Sequence, residues 1–385
     1  PLNDVRSALE TNIAEADPYR PVILLPDITL QHAIEIRSLM GDERSVIVPS
    51  RHRRIYTVID KGLSHVVGYV GRRDSVEEST SRVDSYLSRS ITGLSGAELE
   101  ADWLLRGQSG VQTFQQDLAG RKYSIRETTP AVRGEDVFLT IDLDLQTHAM
   151  DALKKYIDLG IADAREDREG RGEYQKEGAF VVLNVDNGEI LAMGSLPEYD
   201  PNLLARGDNY MAIDALFADP TTPLISRAIT SLEPPGSTFK PLVALAALEE
   251  GFATADTQIY STGELPIPNT YDLQGQPVIF KDWFPHGELT MSRALVRSSD
   301  IYFYVLAGGW PPASEPLGDD VRALGPELIE AWARKFGFGR TSGLQDRNES
   351  QGFVPSVEWK EEQIGESWTL GDTYQFGIGQ GDLLA

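Results

Sequence analysis

The sequence contains no cysteine, which excludes disulfides, thiolate nucleophiles and zinc–cysteine modules. Histidine is scarce. The five residues His32, His52, His65, His148 and His286 include no HExxH pair and no close couple from which a metal site could start. Long apolar runs are missing too: near the motifs discussed below, Leu242–Leu248 falls far short of the ~20 residues a membrane-spanning helix needs. Positive charge is in deficit, with 35 Lys and Arg against 59 Asp and Glu and a net charge of −24. Nucleic-acid binders need a concentrated basic surface, so that partner is excluded. The opening Pro1-Leu2-Asn3-Asp4 has neither a basic nor an apolar targeting region, and no signal peptide is legible.

What remains is a folded, acidic, multi-domain chain. Its 385 residues suggest two or three domains, and 41% hydrophobic with 24% charged residues excludes disorder for most of the length. The first third reads as mixed α+β. Apolar spacing over Leu30–Met40 predicts a helix, and short strands are expected at 45–48, 54–58 and 65–70, followed by a charged, Ser-rich loop over 71–89. A turn-rich linker at 128–134 precedes a strand candidate at 136–141 and a helical pattern over 143–156. The polar block 158–177 reads as a solvated loop or helix extension. Asp186-Asn187-Gly188 then separates two strongly apolar arms, 179–185 and 189–193, which predicts a tight hairpin inside a covered sheet. From Leu203 onward helices are expected to dominate, with Gly337 closing a helix over 327–336.

The chemistry centres on Pro234-Pro235-Gly236-Ser237-Thr238-Phe239-Lys240-Pro241. Prolines and glycine stop what precedes, and 242–250 is a good helix, so Ser237 sits near a helix start with Lys240 on the same face. A serine hydroxyl needs a base to become a nucleophile, and a desolvated lysine can be that base. The helix N-terminus would favour negative charge developing at Ser237. Of nine lysines only Lys240 has serine three residues before it. By themselves the four letters also fit a helix-capping serine followed by a surface lysine.

The surroundings decide between these. Glu233-Pro-Pro-Gly-Ser-Thr-Phe-Lys-Pro-Leu242 resembles the active-site motif of the penicillin-binding protein transpeptidases, and within them the class B, elongation-type branch (penicillin-binding protein 2). Leu139–Gln146 resembles the entry to the transpeptidase domain, and Asn184–Met193 with Pro197 and Asp200-Pro201-Asn202 its first hairpin and loop. Ser95–Glu98, Leu104–Gly107, Asp117 and Gly120-Arg121 resemble the family's pedestal domain, and Gly377-Ile378-Gly379-Gln380-Gly381 a helix-leading segment. The second motif, S-x-D in this branch, is matched by Ser298-Ser299-Asp300. By resemblance, Ser298 would pass a proton between Lys240 and a departing amine, and Asp300 would hold Lys240 or the substrate amide. A division-type relative would carry Asn where Asp300 stands.

The resemblance implies an α+β fold: an antiparallel sheet with flanking helices (residues 134–385, incomplete at the C-terminal end), preceded by an N-terminally incomplete pedestal (residues 1–130). The third motif, K-T-G, is not among the 385 residues and is expected beyond Ala385, so the chain is expected to be cut at both ends and inactive alone. The implied activity is D,D-transpeptidation of peptidoglycan stem peptides through a serine acyl-enzyme that β-lactams also acylate, without a cofactor. The implied partner is the membrane glycosyltransferase of the elongation machinery. The implied location is the extracytoplasmic face of the bacterial membrane, through an N-terminal helix absent from this sequence. Alternatives on the same fold are a D,D-carboxypeptidase or β-lactam hydrolase, and a non-catalytic scaffold that activates the glycosyltransferase. Some elongation-type members hold zinc through two Asp, a His and a Cys. Here Asp282 and His286 remain, while Ser261 and Ser299 occupy the other two positions, and no metal is expected.

Overall fold

A computed structural model describes residues 28–40, 53–57, 61–72, 91–108, 110–116, 122–166, 176–207, 209–268, 275–312, 315–344 and 348–385. The chain divides into two compact units, Pro1–Ala228 and Ile229–Ala385. Both are α+β, with short antiparallel ladders flanked by helices.

In the first unit, the helix Leu30–Met40 forms where apolar spacing places it. Two neighbouring strand expectations fail for local reasons. Arg54–Thr57 joins no ladder, because the Asn202 side-chain amide occupies both Tyr56 backbone groups at 2.9 Å, as a neighbouring strand would. The run 65–70 is broken by Gly68, at φ +75°. It becomes a helical turn, Ser64–Val67, and the first residue of a strand, Val70–Arg72, which pairs with Ile91–Gly93. Gly71 and Arg72, expected to open the loop over 71–89, are thus strand, and the rest of that loop and the expected strand at 45–48 lie outside the described residues. A second ladder joins Val111–Gln116 to Lys122–Thr129.

Residues 136–141 also make no strand. Their end is pinned along the following hairpin by Thr140 Oγ1 on Ile190 O (2.6 Å) and Asp142 N–H on Leu191 O (2.8 Å). The helix Leu143–Glu166 runs well past Tyr156, into the polar block. The hairpin itself, Gly178–Leu183 with Ile190–Leu196, turns at Gly188 with φ +80°. Its second arm is buried on both faces from Ala192 to Leu196, but its first arm is covered on one face only. That helix lies against it, with Met150 buried and Gln146 bonded to both backbone groups of Met193, while Val181, Leu183 and Val185 are exposed. Apolar composition alone does not report how many faces of a strand are covered.

In the second unit helices dominate as expected, but among the described residues four short strands interrupt them. Ile259–Ser261 pairs with Gly287–Leu289, and Glu264–Ile267 with Val278–Lys281. Strands of three or four residues are too short for alternation to stand out from chance. The core is the helix Asp300–Gly308, in which Ile301 through Ala307 are all buried. Lys240–Glu249, Gly325–Lys335 and Leu370–Gly377 pack around it. Gly337, at φ +96°, follows the second of these and donates its N–H to Arg334 O at 3.1 Å.

One close approach fixes the segment that precedes the Lys240–Glu249 helix. Gly236 N–H donates to Gly379 O at 2.8 Å, and Gly379, at φ +73°, leaves only 2.3 Å between an added Cβ and Gly236 O. Backbone cannot yield there as a flexible side chain could. Gly379→Ala is therefore expected to destabilise this unit by at least ~2 kcal/mol, from αL strain and the clash together. Chemical denaturation measures it, and an unchanged midpoint would refute the close approach.

Candidate active site

Ser237 lies on a 3₁₀ turn, Gly236–Phe239, that runs directly into the helix Lys240–Glu249. The turn is held from both ends. Gly236 is tied to Gly379, and Phe239, 1% exposed, meets Phe338 edge-on at 5.3 Å and stacks on Phe376 at 6.0 Å. Anchoring Phe239 inward leaves Ser237 exposed and places Lys240 inward, with 1% exposure. The spacing that puts Ser237 and Lys240 on one helical face thus becomes an exposed hydroxyl followed, one turn on, by a buried amine.

A buried ammonium needs an acceptor for each of its three protons. Lys240 Nζ has three: Asp300 Oδ1 at 2.6 Å, Ser298 O at 2.8 Å and Ser298 Oγ at 3.2 Å. It also lies 5.7 Å from the Phe303 ring centroid, on the next turn of the same core helix. None of the three hydrogen bonds goes to Ser237. The structure therefore brings Lys240, Ser298 and Asp300 together and leaves Ser237 beside them.

The acceptors are presented by a sharp corner between two helices. Met291–Arg297 ends at Ser298, which adopts φ 53°, ψ 39° and donates its N–H to Leu295 O. Ser299 caps the next helix, its Oγ accepting from Tyr302 N–H at 3.3 Å. A left-handed non-glycine residue costs free energy and persists only where its surroundings over-determine it. Here that conformation turns both oxygens of Ser298 toward Lys240. Asp300 occupies the first turn of its helix, where the macrodipole favours an anion. Burial pushes the Asp300 carboxyl above the ordinary carboxylate range. The hydrogen bond and charge of Lys240 oppose that shift without cancelling it, Asp282 adds to it and His286 subtracts from it.

Asp282 is the site residue whose role is not legible in the motifs. Its side chain is fully buried and accepts from Ser299 Oγ (2.6 Å), Ser261 Oγ (3.1 Å) and two backbone N–H groups. His286 Nε2 is 3.4 Å from Asp282 Oδ1, and neither ring nitrogen of His286 makes a hydrogen bond. These four residues occupy the positions the family resemblance links to zinc, and the donor set does not fit that ion. Only one carboxylate and one imidazole are available, and the two serine hydroxyls turn their protons toward the carboxylate instead of offering lone pairs. Among the described residues there is no group of three or more His, Cys, Asp or Glu that could hold a metal. A separate cavity of about 480 Å³, lined by Phe280, Lys360, Leu370 and Asp372 among others, contains none of Ser237, Lys240, Ser298 and Asp300.

Comparison with known proteins agrees with this arrangement. The family model for the penicillin-binding protein transpeptidase domain matches residues 178–385, and that for the penicillin-binding protein dimerisation domain matches residues 3–139. The peptidoglycan D,D-transpeptidase MrdA of Escherichia coli K12 is 31% identical over 336 residues, 86% of this chain and 47% of the relative. The chain thus spans about half the length of the curated relatives it matches. Among solved structures, Pseudomonas aeruginosa PBP2 in complex with WCK 5153 superposes with a TM-score of 0.64 at 29% identity, covering 88% of this chain and 62% of that one. A peptidoglycan synthase complex, solved for its structural coordination of polymerization and crosslinking, gives 0.71 at 28% identity, covering 99% and 61%. With a serine–lysine turn facing an S-x-D corner, and with the transpeptidase model matching more than half of its length, the chain belongs to the penicillin-binding protein transpeptidase family, in its PBP2-type class B branch.

Proposed function

We propose that this chain carries the acyl-enzyme centre of a serine D-Ala-D-Ala transpeptidase that cross-links peptidoglycan stem peptides during cell elongation. The observation that carries the reading is Lys240, buried one turn after an exposed serine, with all three donors taken by the Ser298–Asp300 corner. Residues 134–385 supply the catalytic domain in this reading and residues 1–130 the pedestal.

The hydrogen-bond directions assign roles. To remove the Ser237 proton, lysine must present a lone pair, so one of its three donated contacts must be given up. An uncharged amine keeps two N–H donors, which Asp300 and Ser298 O, as pure acceptors, go on receiving. Ser298 Oγ, the longest contact, is therefore the one released, and the lone pair it frees can take the proton of Ser237, while the Ser298 hydroxyl stays able both to accept from Lys240 and to donate onward. Ser237 Oγ then attacks the carbonyl of the penultimate D-Ala, and its proton passes to Lys240. When the tetrahedral adduct collapses, the bond to the terminal D-Ala nitrogen breaks, and the proton reaches that nitrogen through Ser298. An amine of a neighbouring stem attacks the ester, loses its proton by the reverse route and releases Ser237. A β-lactam carbonyl would be attacked in the same way.

The relatives' designation as peptidoglycan D,D-transpeptidases supports this substrate class, and the related synthase complex supports a membrane glycosyltransferase partner. That chemistry belongs on the extracytoplasmic face of the membrane. No helix among the described residues is long and apolar enough to cross a membrane.

In the full-length protein, Ser237→Ala is expected to abolish covalent labelling by a fluorescent penicillin. Labelling that survives the substitution overturns the nucleophile. Lys240→Ala is expected to slow labelling by about 10²–10⁴-fold, the usual reach of general-base catalysis. Asp300→Ala strips a buried cation of its charged partner and is expected to cost about 3–5 kcal/mol in denaturant unfolding. The double variant Lys240→Met with Asp300→Ala is expected to recover most of that loss. An Asp300→Ala protein as stable as its parent would show that the pair does not hold a buried charge.

A further inference from the structure

The Asp282 carboxylate, with none of its side chain exposed, gathers donors from three segments of the second unit. Oδ2 accepts from Ser261 Oγ, in the strand Ile259–Ser261, at 3.1 Å. It also accepts from Ser299 Oγ at 2.6 Å and from Ile301 N–H at 3.3 Å, at the start of the core helix. Oδ1 accepts from Trp283 N–H at 3.0 Å, in the turn that follows Val278–Lys281.

The shortest of these bonds falls on the residue between the two partners of Lys240. Ser299 Oγ donates to Asp282 and accepts from Tyr302 N–H, so a single hydroxyl joins the carboxylate to the helix cap. With Ser299 fixed from one side and Ile301 from the other, Ser298 and Asp300 have little freedom to leave Lys240. This also accounts for the left-handed Ser298, which stays at φ 53° only while its flanks are held. A metal ion could tie the same segments, but the donor set does not suit one. The hydroxyls give their protons to Asp282, so its oxygens are satisfied by hydrogen bonds, while the buried His286 ring adds none.

We propose that Asp282 is a positioning residue that fixes the Ser298–Asp300 corner against Lys240 through hydrogen bonds alone, without a metal. The proposal rests on the reading of Ser237 and Lys240 as nucleophile and base. It makes the acylation step depend on an acceptor at position 282, and it separates this chain from any relative in which a metal joins the same strands.

The test uses the full-length protein and a fluorescent penicillin, with stopped-flow data resolved into an initial dissociation constant and an acylation rate constant. Asp282→Ala and Ser299→Ala are each expected to slow acylation by about 10- to 100-fold, with initial binding within about threefold, as expected for misplaced catalytic groups. Asp282→Asn keeps an acceptor for Ser299 and is expected to recover most of the rate. Elemental analysis of the unaltered protein is expected to show no stoichiometric zinc, and a chelator is expected to leave acylation unchanged. If Asp282→Ala does not fold, Ser299→Ala and Asp282→Asn decide the matter by the same comparison. Acylation at the parent rate in folded Asp282→Ala or Ser299→Ala overturns the proposal. So does an Asp282→Asn protein as slow as the alanine variants, or zinc approaching one per chain with chelator-sensitive acylation. If the unaltered protein is not labelled, or Ser237→Ala is, the acyl-enzyme reading falls and the positioning role falls with it. Correct controls with unaffected Asp282 and Ser299 variants remove the positioning role alone.

Discussion

A lysine withdrawn from water must find an acceptor for each proton it carries, and that requirement organises the second unit around Lys240. All three acceptors come from one three-residue corner. To deliver a carbonyl, a hydroxyl and a carboxylate to one nitrogen, the chain must end one helix, pass through a left-handed residue and start another helix within Ser298-Ser299-Asp300. The core helix that follows can then be wholly apolar from Ile301 to Ala307, apart from its tyrosine hydroxyls, because polar duties are confined to its first turn. Desolvation makes the lysine contacts strong and makes their loss costly, so the same burial that suits a base also fixes the fold.

The exposed serine depends on a second device, which is packing rather than charge. Phe239 sits between Phe338 and Phe376, and Gly236 is hydrogen-bonded to Gly379, so the turn carrying Ser237 is clamped by residues about 100 to 140 positions away in sequence. Rigid placement of a nucleophile lowers the entropy lost on reaching a reactive geometry. Glycine at 379 lets the two backbones approach closely enough for the clamp to form.

These two devices explain how much was legible in the sequence. Ser237 and Lys240 are one turn apart, so helical periodicity alone places them on one face. The contact between Lys240 and Asp300 spans 60 residues, and only the order of motifs, read through family resemblance, suggests it. Helix Leu30–Met40 and the hairpin at Gly188 were legible because a period or a turn residue carries each of them. Residues 54–57 and 136–141 have strand composition but form no strand: Asn202 takes the backbone hydrogen bonds of Tyr56, and the hairpin holds 136–141 only at its end, through the Thr140 hydroxyl and the Asp142 N–H. Asp282 was visible only as a residue standing at a metal-linked position. Its work as an acceptor depends on Ser261 and Ser299, and neither the partners nor the direction of their hydrogen bonds is encoded locally.

Asp282 and Asp300 are two carboxylates held close to one base, and like charges in a buried site disfavour one another. The structure separates their roles by the kind of donor each receives. Asp282 receives its hydrogen bonds from hydroxyl and backbone donors, which fix its orientation. Asp300 faces the cation, and burial together with the nearby Asp282 raises its carboxyl. Exchanging the two environments would leave Lys240 without a charged partner and the helix cap without an anchor. The arrangement therefore asks for a hydrogen-bond acceptor at 282 and a charged partner for Lys240 at 300, and both are supplied by carboxylates of the chain.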